Sequence, residues 1–124
     1  MTLHERDAGW LTHRSDERPE ALIEHPVVVL RVVAERYVVI HGTTTPRDRG
    51  GRRLADADVP EAPDATVFWV EAGSEDGRAL GLSRRTYFAR SAVEVIRNVA
   101  DVRVMGSCPA GLFLELRRIA GITG

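Results

Sequence analysis

Residues 26–45 constrain this chain more than any other stretch: Pro26-Val27-Val28-Val29-Leu30-Arg31-Val32-Val33-Ala34-Glu35-Arg36-Tyr37-Val38-Val39-Ile40-His41-Gly42-Thr43-Thr44-Thr45. Two near-continuous β-branched runs flank a short polar break at Ala34-Glu35-Arg36. Val and Ile pack well on a pleated surface, and runs this apolar predict strands covered on both faces. A buried helix has a similar apolar density. The length of each run, the branching at Cβ and the Pro, Gly and Thr punctuation favour strands. The break suits a hairpin, although it lacks an Asn-Gly or Asp-Gly turn. With the turn centred near Glu35, facing residues have numbers summing to about 70 in antiparallel register. His25 then faces Thr45, and Val27 faces Thr43. The open end of the hairpin gathers His25, Thr43, Thr44 and Thr45 into a candidate site.

A chain of 124 residues has the size of one domain, 1–124, able to bury roughly two thirds of its unfolded surface. No apolar run approaches the ~20 residues that span a bilayer, so no membrane partner is expected. The start, Met1 to Asp7, is too polar for a secretory signal. A single cysteine, Cys108, excludes an internal disulfide and fits a reducing cytoplasm. The formal net charge of −1 makes the whole molecule no electrostatic magnet for nucleic acid. All 17 basic residues are arginine. A GC-rich genome accounts for that bias, and each cation is nonetheless a planar fork suited to bidentate phosphate contacts.

Residues 1–8 read as a frayed start, and Gly9 to His13 as a short first strand. Arg14 to Glu24 is polar and contains Pro19, which marks a loop. After Pro46 the composition turns charged and glycine-bearing, and Pro60 and Pro63 keep it irregular. Residues 46–64 therefore form a long charged loop, of the kind that is usually functional or disordered. Ala65 to Ala72 is a further strand, and Gly73 to Arg78 a turn by composition. Thr86–Ala89, Ala92–Ile96 and Val102–Met105 read as strands. Leu112, Leu116 and Ile119 recur at i, i+4 and i+7, one face of a helix over 109–120 that Gly121 can stop. The predicted fold is mostly β: a small SH3-like barrel of five to seven short strands closed by a C-terminal α-helix.

Five short motifs, in this order and spacing, resemble the PemK/MazF-like family of toxin endoribonucleases over roughly Gly9 to Ile119. They are Gly9-Trp10-Leu11; His25-Pro26 with Val27 to Leu30; Ile40-His41-Gly42-Thr43-Thr44; Gly81-Leu82-Ser83-Arg84-Arg85-Thr86; and Val104-Met105-Gly106 before the helix with Leu112, Leu114 and Leu116. The resemblance implies a homodimer that cuts single-stranded RNA without metal or other cofactor. It also implies a cognate antitoxin whose acidic tail covers the RNA groove. His25 departs from the family, which carries arginine before that proline and uses it in cleavage with the later threonine. Histidine removes a permanent cation and supplies a group that titrates near neutral pH. Either the chemistry is rebuilt around His25, or the chain is a catalytically inactive barrel that binds RNA or a peptide.

Metal-independent RNA cleavage needs a base for the 2′-OH, an acid for the leaving 5′-oxygen, and donors for the charge on phosphorus. His25 is the candidate base or acid, and Thr43 and Thr44 are candidate phosphate donors. Threonines also end strands for purely conformational reasons. Arg14 and Arg18, in the loop before the hairpin, are candidates for the missing cation. Arg47, Arg49, Arg52 and Arg53 are candidates to track an RNA backbone, although a charged loop is also simply well solvated. His41 shares a strand with the threonines and suits a structural role equally well. Trp10 and Trp69 could stack on bases, with core packing favoured for Trp69. His13, His25 and His41 lack zinc-site spacing, and no cysteine pair exists. Cys108 precedes the helix, where a thiolate is favoured, while a buried inert thiol is the commoner case.

Overall fold

The computed structural model of the protein describes residues 2–14, 22–44, 67–97, 99 and 102–122. In chain order the elements are β1 (Asp7–Arg14), β2 (Leu22–Val33), β3 (Arg36–Thr43), β4 (Val67–Val70), α1 (Glu75–Ala79), β5 (Thr86–Ile96), β6 (Val102–Ser107) and α2 (Ala110–Ala120). The strands form one sheet in the order β4-β5-β3-β2-β1-β6, with every ladder antiparallel. The expected class is observed, mostly β with a C-terminal helix. Among the described residues no ladder joins the end strands β4 and β6. The sheet has the proportions of a small barrel, and its described strands do not close into a ring.

The valine runs of β2 and β3 sit at the centre of this sheet and are buried on both faces. Val28, Leu30 and Ile40 point to one core with Phe88, Leu112, Phe113 and Leu116. Val27, Val29 and Val39 point to the other with Leu3, Leu11, Tyr37 and Val102. Alternate residues of a strand face opposite sides, so a strand apolar at every position requires two cores. Helix α2 covers the first face with Leu112, Phe113 and Leu116, and Ile119 is buried as well. It ends at Gly121, whose φ of 76° is the left-handed conformation that glycine adopts without steric cost.

Three local expectations are corrected. Residues 2–8 are not frayed: Leu3 is 1% exposed, and the Arg6 amide donates to the Val29 carbonyl at 2.9 Å. An apolar side chain three residues from the start anchors the chain against the second core. The segment read as a turn, 73–78, overlaps α1, which runs on to Ala79. The Ser74 hydroxyl accepts from the Gly77 amide at 3.0 Å, an N-cap that starts a helix too short and polar to show periodicity. Thr86–Ala89 and Ala92–Ile96 are one strand, β5, because it pairs with β3 along its length and with β4 at its start.

Candidate active site

The β2–β3 register decides what meets at the open end of the hairpin. Val27 pairs with His41, Val28 with Ile40 and Val29 with Val39. The expected register is therefore two residues out, and Val27 does not face Thr43. Two local features account for it. Ala34 and Glu35 make a two-residue turn, with Ala34 at a φ of 53°, which moves the centre half a residue toward the N-terminus. A bulge between Val29 and Arg31 takes up one further residue of β2. The slip brings His25 beside Gly42: its Nδ1 lies 3.0 Å from the Gly42 carbonyl oxygen. Thr45 lies outside the described residues.

His25, Thr43 and Thr44 line one cleft of about 430 Å³ with Trp10, Glu24 and Arg84. Pro26, Gly42, Leu82, Ser83 and Thr86 complete its wall. Gly42 is required there by close approach. A Cβ at this position would meet the Thr86 methyl and stand 3.0 Å from the Phe88 ring. Thr86 is buried, and its hydroxyl donates to the Arg84 carbonyl at 3.0 Å, tying down the loop that carries Arg84.

A carbonyl oxygen only accepts, so the contact with Gly42 requires the proton on Nδ1 of His25. In the neutral ring the lone pair then belongs to Nε2, the tautomer a general base uses. The His41 ring lies beside it, with centroids 5.1 Å apart and planes inclined by 39°. His41 Nδ1 is 3.7 Å from a carboxylate oxygen of Glu94 on β5, beyond hydrogen-bonding distance.

Of the other candidates, Arg14 closes β1, and nothing of its side chain is described. Arg18, Arg47, Arg49, Arg52 and Arg53 lie outside the described residues. Sequence reasoning gave no role to Arg84, the cation that does line the cleft, although Gly81 to Thr86 was singled out as a motif. Glu94 carried no signal, because only strand pairing across β3 and β5 brings it to His41. Trp10 is half-buried and lines the cleft, whereas Trp69 packs edge-on to Tyr87 with the Arg85 guanidinium 5.2 Å from its ring.

Among the described residues no three His, Cys, Asp or Glu side chains converge as a metal site, and no helix is long and apolar enough to cross a membrane. Cys108 precedes α2 but is fully buried, and burial, with a smaller push from Asp76, raises its thiol from 9.0 to about 12. The thiolate favoured by a helix N-terminus does not form. No protein-family model matches this chain, and no curated protein matches it as a relative.

Proposed function

We propose that this protein is a toxin-type endoribonuclease that cleaves single-stranded RNA without metal. The observation that carries the reading is the His25 imidazole, held in one tautomer by the Gly42 carbonyl in a cleft that Thr43 and Thr44 also line. Nε2 of His25 takes the proton of a 2′-OH. The 2′-oxygen forms a bond to the adjacent phosphorus, the bond from phosphorus to the 5′-oxygen breaks, and the leaving 5′-oxygen takes a proton from solvent water. The products are a 2′,3′-cyclic phosphate and a 5′-hydroxyl. The hydroxyls of Thr43 and Thr44 and the guanidinium of Arg84 are the donors available to the charge that develops on the phosphoryl oxygens. Arg84 answers the departure at His25, because a permanent cation reaches the cleft from another loop. Trp10 offers a ring face for a base.

The resemblance to PemK/MazF-like toxins carries the rest of the proposal: a cytoplasmic homodimer, restrained by a cognate antitoxin. The test is incubation of a long single-stranded RNA with the protein in chelator, followed by mass spectrometry of the new termini. Cyclic phosphate and 5′-hydroxyl ends, lost in His25→Ala, are the expected result. Ends bearing a 3′-hydroxyl would overturn the mechanism. Binding without cleavage would leave the protein a non-catalytic RNA-binding barrel.

A further inference from the structure

We infer that the corner of the cleft between Trp10 and Glu24 is a base-reading subsite that selects guanine in the RNA strand. The inference rests on the endoribonuclease reading and deepens it by naming the base the site accepts. Trp10 pairs with Pro26 across β1 and β2 and with Arg103 across β1 and β6, while Thr12 pairs with Glu24. Paired residues, and those two apart along a strand, share a face, so Trp10, Thr12, Glu24 and Arg103 stand on one side of the sheet. Trp10 and Glu24 are diagonal neighbours there, about 7–8 Å apart and within reach of long side chains. The Glu24 carboxylate is held at both oxygens. The Thr12 hydroxyl donates to Oε1 at 3.5 Å, and the Arg103 guanidinium stands 3.8 Å from Oε2. Glu24 and Arg103 are both exposed, so their pairing adds little stability and serves to aim the carboxylate. The hydroxyls of Thr43, Thr44 and Ser83 and the Arg84 guanidinium can all donate to phosphate. Among the described lining residues Glu24 alone carries a carboxylate, which repels phosphate. An acceptor-only group is matched by paired N–H donors, and guanine presents two side by side, N1–H and N2–H, on its Watson–Crick edge. Adenine and cytosine set an acceptor beside their amino group, and uracil flanks its one N–H with carbonyls. Each of these leaves a carboxylate oxygen facing a lone pair. A guanine stacked on the Trp10 ring can reach Glu24 with its donor edge, whereas stacking alone would accept any base. His25 follows Glu24 in the chain and lines the same cleft, so the base read belongs to a nucleotide beside the cut.

The test uses the full chain and 2′-fluoro oligonucleotides, which lack the attacking hydroxyl. Uridine tracts with a single central guanosine, inosine or adenosine are compared by fluorescence anisotropy. Inosine differs from guanosine only in lacking the N2 amino group. Wild-type protein is expected to bind the guanosine tract roughly tenfold or more tightly than the inosine tract, the loss of a base contact. Glu24 is exposed, so Glu24→Gln spares the core. The amide sets a donor beside an acceptor, which matches adenine rather than guanine. In that variant the gap between guanosine and inosine should close, and adenosine should overtake guanosine. No binding by the wild-type protein, equal binding of the guanosine and inosine tracts, or a guanosine preference that survives Glu24→Gln overturns the subsite. Guanosine-selective binding by a protein that cuts no RNA overturns the endoribonuclease reading and leaves the subsite standing. RNA that is cut with no guanosine beside the cuts does the reverse.

Discussion

The Nδ1 of His25 and the carbonyl oxygen of Gly42 lie 3.0 Å apart, joining the two strands of the central hairpin at its open end. The contact depends on Gly42 having no side chain. In Gly42→Ala the new methyl meets Thr86 and Phe88, both buried. Overpacking of this kind costs about 1–3 kcal/mol. Urea denaturation should register that loss. The ¹⁵N shifts of His25 should show its tautomers mixing as the carbonyl moves.

Ala34 carries the opposite expectation. Its φ of 53° is a left-handed conformation that alanine adopts at a cost, in a turn without glycine or asparagine. Ala34→Gly relieves the Cβ contact and gives back part of the gain as chain entropy, for a net stabilisation of about 0.5–1 kcal/mol. The midpoint of urea denaturation should rise with an unchanged slope.

Helix α2 offers a paired comparison. Leu116 is fully buried against Phe88 and its neighbours, whereas Leu114 on the same helix is 66% exposed. Leu116→Ala should destabilise by about 2–5 kcal/mol and Leu114→Ala by less than about 0.5 kcal/mol. Thermal melts of the two variants measure the contrast directly.

Cys108 links stability to alkaline pH. Its thiol rises from 9.0 to about 12 in the folded protein, chiefly through burial. Below pH 9 the thiol is protonated in folded and unfolded chains alike, and its contribution is complete. Between pH 9 and 12 the unfolded chain gives up the proton first, so stability falls as pH rises. Cys108→Ala should lose this component of the alkaline slope. In the native protein near pH 8, alkylation by iodoacetamide should be roughly a thousandfold slower than for an ordinary thiol.

That the central pair of strands is buried on both faces was legible in the valine runs. The spacing of Leu112, Leu116 and Ile119 likewise marked the buried stripe of α2. Side-chain alternation and helical repeat are local properties, and composition carries them. The meeting of His25 with Thr43 and Thr44 was legible only in outline. The pairing that produced it was read two residues out, because neither the bulge at Val29–Arg31 nor the left-handed Ala34 leaves a mark in residue type. Helix α1 escaped notice because one serine cap, rather than an apolar face, starts it. Tertiary structure alone brought Arg84 to the cleft and Glu94 to His41. These neighbours come from distant segments, and their approach depends on register summed across several strands, a quantity no single stretch of the chain contains.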